Sequence, residues 1–136
     1  MIVVLDTNVL LVSIPRKSIY RPILDALING EFDLVLSNDI LSEYTEIIER
    51  KANATVSNNI AEMLLNLDNL HKVEVYFEWK LIDKDPDDNK YVDAAVVGSV
   101  DFIVSNDQHF KILNSVDFPK VNVIDIDQFL SLILKK

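Results

Sequence analysis

Ile2-Val3-Val4-Leu5-Asp6 and Phe102-Ile103-Val104-Ser105-Asn106-Asp107 decide the fold of this chain. Each stretch is a short apolar run without polar alternation, followed closely by an aspartate. Such a run reads as a parallel strand buried on both faces. A carboxylate just past the C-terminal end of a buried strand stands in the usual ligand position of an open α/β sheet. The arrangement occurs at both ends of the chain, so the two stretches predict a shared site as well as a sheet.

Working outward, short strand-like runs alternate with longer helical patterns. Further strands are expected at 34–36, 73–76 and 121–124. Helices are expected at 18–29, where Gly30 is a stop signal, and at 38–51, 57–70, 86–98, 108–114 and 128–135. The segment 53–59 is the most loop-like stretch and is expected to join two helices. Alternating strands and helices imply right-handed crossovers and a parallel sheet covered on both sides, a three-layer α/β/α architecture.

The bulk properties agree with this. A chain of 136 residues, 49% of them hydrophobic, suits one domain spanning residues 1–136 with one buried core. Two glycines and four prolines leave little room for disorder. The absence of cysteine excludes disulfides and thiolate zinc sites and fits a reducing cytoplasm. The opening apolar run is broken by Asp6 and has no basic residue before it, so no secretory leader is expected. No segment reaches the ~20 apolar residues of a membrane span. A net charge of −9 argues against a general nucleic-acid coat protein. It is compatible with a carboxylate site that bound cations neutralise, or with acid that simply aids solubility.

The acids differ in what they can do. Asp6 can cap the next helix, as can Thr7 or Asn8. It can also be a ligand, with the Asn8 amide orienting its carboxylate. Ile40, Glu43, Tyr44 and Ile47 share one helix face, so Glu43 borders the apolar stripe and needs a partner: a metal ion supplies one, or the side chain snorkels to water or pairs with a basic residue. Asp88 shares a face with Tyr91, Val92 and Ala95, whereas Asp93 falls about 140° away and is a weaker or outer ligand. Asp85 is a natural cap and Pro86 suits the first turn; Asp85 and Asp87 cap the helix or face water. Asp107 can be a turn residue or a ligand, and Ser105 can support a neighbouring carboxylate. His71 and His109 lack metal-ligand spacing. His109 is close enough to Asp107 to lie near the site, but reads as a surface residue. Together the acids ask for a site of three or four carboxylates requiring neither His nor Cys. Hard oxygen donors suit Mg²⁺ or Mn²⁺ and the hydrolysis of phosphodiesters. Without cations such a cluster repels itself. Phosphate contacts must come from local basic groups, and Arg16, Lys17, Arg21 and Lys90 are the candidates.

These residues in this order resemble the PIN-domain family of ribonucleases, which includes the VapC-type toxins of toxin–antitoxin systems. The resemblance covers nearly the whole chain. It rests on Leu5-Asp6-Thr7-Asn8-Val9, on Ser37 with Leu41-Ser42-Glu43-Tyr44, on Asp85-Pro86-Asp87-Asp88-Asn89-Lys90, and on Ile103-Val104-Ser105-Asn106-Asp107. It implies a five-stranded parallel sheet in the order 3-2-1-4-5. It also implies a metal-dependent endoribonuclease with Asp6, Glu43, Asp88 and Asp107 as its acidic quartet, supported by Asn8 and Ser105. One departure is visible: Asp93 interrupts a helix that in many members continues with small apolar residues. This leaves open whether Asp88 serves alone or with Asp93. An antitoxin partner and a homodimer are implied as well. The helices 18–29 and 57–70 are expected to build an apolar groove or dimer face, with Leu65 turned away from Ile60, Met63, Leu64, Leu67 and Leu70.

Three rivals stand beside this reading. An aspartyl-phosphate phosphatase wants a second Asp where Asn8 stands. A receiver-like phosphoacceptor wants an Asp after the third strand, where Tyr76-Phe77-Glu78-Trp79 stands. A non-catalytic PIN-like scaffold would keep the fold without the chemistry.

Overall fold

The computed structural model describes residues 1–82 and 86–135. Strands β1 (Ile2–Leu5), β2 (Asp33–Leu36), β3 (Leu70–Lys72), β4 (Phe102–Val104) and β5 (Val123–Ile124) form a five-stranded sheet in the order β3-β2-β1-β4-β5. Every pairing is parallel. Central β1 sets Val3 opposite Leu34 on one side and opposite Phe102 on the other. Val3, Val4, Leu5, Leu34, Val35, Leu36, Ile103 and Val104 are all fully buried. Successive residues point to opposite faces, so both faces of the sheet are covered. The chain leaves β1 toward β2 and leaves β4 toward β5. The two central neighbours therefore part in opposite directions, which opens a crevice at their C-terminal ends.

The helices are α1 (Thr7–Ser13), α2 (Arg21–Ile28), α3 (Asn38–Lys51), α4 (Ala54–Leu65), α5 (Asn89–Val97) and α6 (Ile126–Leu134). Two 3₁₀ segments, Pro86–Asp88 and Gln108–Ser115, precede α5 and follow β4. α5 lies across β2, β1 and β4. It ends at Gly98, where an added Cβ would come within 2.7 Å of Val35 Cγ2, so the close approach of helix to strand requires glycine. On α3, the Ser37 side chain caps the helix by accepting from the Ile40 N–H. Fully buried Tyr44 then donates its hydroxyl to the Leu5 carbonyl at 2.5 Å. That bond fastens α3 to the end of β1. Helix α6 begins with a reciprocal cap between Asp125 and Gln128 and seats Phe129 edge-on against Phe32, 5.1 Å between ring centres.

Several elements differ from the expectation. α1 is a helix of two turns where none is expected; its Val9 and Leu10 are buried but no side-chain cap marks its start. α4 begins at Ala54 and not at 57, because Asn53 caps it by accepting from the Val56 N–H at 2.8 Å. The segment 53–59 is therefore largely helical. Ser57 instead bonds the Thr45 carbonyl and holds α4 to α3. β3 is formed by Leu70–Lys72, ahead of the apolar run at 73–76. It is an edge strand, and His71 and Lys72 are exposed, so apolar character does not locate it. The segment 108–114 is 3₁₀ and not α-helical. The cap expected at Asp85 lies outside the described residues. α2 packs mainly on α1 and α6, and α4 on α3, which divides the apolar face expected to span both. Leu65 is 51% exposed, on the far side of α4 from buried Leu64. Among the described residues, no helix is long and apolar enough to cross a membrane.

Candidate metal centre

The site forms where β1 and β4 end. Asp6 is 9% exposed, and its carboxylate makes no cap bond to α1. Ser105 donates to Asp6 Oδ2 at 2.7 Å and accepts from the Asp107 N–H at 3.0 Å. One hydroxyl thus bridges the two strand-end acids. Burial pushes the Asp6 carboxyl above the usual carboxylate range; the Ser105 hydroxyl opposes that shift, and the charges of Asp107 and Glu43 add to it. Asp6 therefore sits within the field of both other acids.

Asp107 turns the chain from β4 into the 3₁₀ segment, accepting from the His109 N–H at 2.9 Å. That turn folds the imidazole back. His109 Nδ1 stands 3.5 Å from Asp107 Oδ1 and 3.6 Å from Asp88 Oδ2. Donor atoms of Asp88, Asp107 and His109 all lie within 4.8 Å of one another. Nδ1 is buried and makes no hydrogen bond among the described residues. Asp88 ends the 3₁₀ turn before α5 and is 9% exposed. Its position is braced by Asn89, whose amide accepts from the Ile82 N–H and donates to the Ile82 carbonyl, both at 2.9 Å.

Glu43 is held on both oxygens. Lys90 Nζ is 2.7 Å from Oε1, and Thr7 donates to Oε2 at 2.7 Å. The Tyr91 hydroxyl also donates to Oε2 and contacts the Thr7 hydroxyl. Burial alone would raise the Glu43 carboxyl, but Lys90, Tyr91 and Thr7 together hold it below the ordinary range. The Tyr91 hydroxyl is pushed far above its usual value, first by burial and then by Glu43, so it stays a donor. Glu43 remains a charged group beside Asp6.

Of the four expected acids, Asp88 and Asp107 offer donor atoms within 4.8 Å of each other beside His109, and Ser105 links the Asp6 carboxylate to the Asp107 backbone; Glu43 stands apart on its own partners and reaches Asp6 only through its charge. Asp93 is 4% exposed and accepts from the Trp79 N–H at 3.0 Å, so one of its oxygens anchors the segment before α5. Burial raises its carboxyl, Trp79 lowers it, and Glu78 raises it. Asn8 makes no bond to Asp6. It is exposed and lines a cleft of about 370 Å³ with Asp6, Asn106 and Asp107. A larger cleft of about 910 Å³ runs past Glu43, Lys90, Asp93, Arg50 and Lys80. Arg16 and Lys17 are exposed. Arg21 is engaged, bonding the Ile14 carbonyl at 2.6 Å and Asp25 at 2.9 Å.

The surface reading of His109 is corrected by its buried Nδ1, although its side chain is 38% exposed overall. Its spacing of two residues from Asp107 is the available signal. Thr7 and Tyr91 are unanticipated partners of Glu43. They come from distant parts of the chain, and only the share of one helix face between Tyr91 and Asp88 hints at it. His71 pairs with Asp33 across β2 and β3.

Asp88, Asp107 and His109 together offer two carboxylate oxygens and one imidazole nitrogen, a set able to hold a metal ion. Comparison with known proteins places the fold in a class. The PIN domain family matches residues 2–109, and the chain belongs to that family. Among solved structures, it is similar to a chain in the crystal structure of VapBC2 from Rickettsia felis bound to a DNA fragment from their promoter. That likeness has a TM-score of 0.61 at 15% identity and covers 92% of this chain and 98% of the other. A sequence search of curated proteins finds no match.

Proposed function

We propose that this chain is a metal-dependent endoribonuclease, the toxin component of a toxin–antitoxin pair. The observation that carries the reading is the pairing of the two strand-end acids Asp6 and Asp107 through Ser105, with Asp88 donor atoms within 4.8 Å of those of Asp107 and the charge of Glu43 felt at Asp6. Family membership and the likeness to a VapBC2 chain support it.

Asp6, Asp88 and Asp107 would hold Mg²⁺ or Mn²⁺. A divalent ion there supplies Lewis-acid activation of water and neutralises charge at the leaving oxygen of a phosphodiester. The rest falls to the chain's own groups. Ser105 orients Asp6. Thr7, Tyr91 and Lys90 keep Glu43 ionised, so it can accept a proton or position water at the edge of the larger cleft. Lys90, Lys80 and Arg50 line that cleft and can meet RNA phosphates, while Arg16 and Lys17 extend the basic surface beyond α1. The site works within the cytoplasm, and an antitoxin covers it or the face of α4 that carries exposed Leu65 when the toxin is silent. Asp93 serves as a loop anchor or an outer ligand.

Cleavage of a mixed RNA panel tests this reading. Activity is expected with Mg²⁺ or Mn²⁺, to stop in EDTA, and to vanish in Asp6→Asn. Undiminished cleavage in EDTA or by that variant would overturn it, and so would failure to cut any RNA with metal present.

A further inference from the structure

We infer that His109 is a nitrogen ligand of the metal centre, and that it tunes the site toward Mn²⁺ and away from Mg²⁺. The inference rests on the metal-dependent reading above and goes beyond its carboxylate donor set.

Three observations meet at this side chain. First, Nδ1 is buried while the ring as a whole is partly exposed, so the nitrogen, and not the ring face, is turned inward. Second, it is nearly equidistant from Asp88 Oδ2 and Asp107 Oδ1, at 3.6 and 3.5 Å, and hydrogen-bonds to neither. A buried polar atom without a hydrogen bond costs about 1–3 kcal/mol, so its retention needs a cause. Third, the backbone is built to hold it there. Asp107 Oδ1 takes the His109 N–H, and the Asp107 N–H goes to Ser105, the same hydroxyl that holds Asp6. The imidazole is therefore placed by the network that places the acids.

The consequence is selectivity. Mg²⁺ demands oxygen donors and dehydrates reluctantly. Imidazole is a softer donor that divalent transition metals accept more readily than Mg²⁺ does, and Mn²⁺ is the transition metal among the two ions considered, sharing with Mg²⁺ an affinity for the carboxylates. The three carboxylates with one added imidazole bind Mn²⁺ more tightly than the carboxylates alone would, with little gain for Mg²⁺.

The test is calorimetric titration of the metal-free protein with Mn²⁺ and with Mg²⁺, for the wild type, His109→Ala, His109→Gln and Asp6→Asn, each checked for intact folding by circular dichroism. Pulsed electron paramagnetic resonance of the Mn²⁺-loaded wild type reads nitrogen coupling directly. The expected result is a 10- to 100-fold weaker Mn²⁺ affinity in both His109 variants, a roughly 10–100-fold scale being typical of lost site residues. Mg²⁺ affinity should change little, and nitrogen modulation should be present in the wild type and absent in His109→Gln. Mn²⁺ binding that is lost in Asp6→Asn but indifferent to His109, or a spectrum without directly bound nitrogen, would overturn this inference alone. A wild type that binds neither ion would overturn the metal-dependent reading with it.

Discussion

Asp6 carries a conflict between stability and chemistry. It is buried, repelled by Asp107 and Glu43, and eased mainly by Ser105. Its raised carboxyl pKa fixes the sign of the pH effect. The stabilising contribution is fully present below the ordinary carboxylate range and is lost as pH rises through the raised folded value. Asp6→Asn should therefore stabilise the metal-free protein at neutral pH by about 1 kcal/mol, within the usual gain from relieving strain at an active site. The gain should fade on acidification. Urea denaturation at neutral and acidic pH checks this, and an Asn variant less stable than wild type at neutral pH would count against the repulsion. Ser105→Ala leaves every acid in place but removes the bridge between Asp6 and Asp107. Mn²⁺ affinity should fall about 10- to 100-fold, measured by calorimetry. An unchanged affinity would mean that the backbone alone orients Asp6.

At the scale of elements, the site depends on how closely α5 and α3 approach the sheet. Gly98 lies against Val35, and α5 begins beside Asp88. Gly98→Ala should force the helix outward, costing about 1–3 kcal/mol as overpacking does. It should also lower metal affinity, because Asp88 moves with the helix start. A variant with unchanged stability and binding would show that α5 has slack. The elements also show what a sequence can reveal. β1, β4 and α3 are legible to the residue, because unbroken apolar runs and the helical face of Ile40, Tyr44 and Ile47 are local signals. β3 is not, since an edge strand needs backbone pairing and not apolar side chains. α1 is not, because its two turns are stabilised by burial of Val9 and Leu10 and carry no side-chain cap. In the site, the acids are legible from strand ends and helix faces. Thr7, Tyr91 and the inward turn of His109 are not, because they depend on proximity across the fold and not on spacing along the chain.

For the molecule as a whole, a net charge of −9 means that an RNA substrate, as proposed, would be attracted only locally. Arg16 and Lys17 are exposed, whereas Arg21 is committed to the α1–α2 connection. A double Arg16→Ala, Lys17→Ala variant should bind RNA more weakly at low salt. The slope of log affinity against log salt should flatten by about 1.4, at roughly 0.7 for each single-strand phosphate that the variant no longer neutralises. Arg21→Ala should instead lower stability through the loop. An unchanged salt slope in the double variant would move the binding surface to the Lys80, Lys90 and Arg50 side of the larger cleft. A Mn²⁺-soaked crystal and its anomalous difference map show directly whether the anionic crevice at the β1–β4 divide holds a cation. A peak is expected there, bounded by the carboxylates of Asp6, Asp88 and Asp107, and it should disappear in Asp6→Asn crystals. A map with no peak in that crevice, or one whose only strong peak lies elsewhere, would contradict the metal-dependent reading.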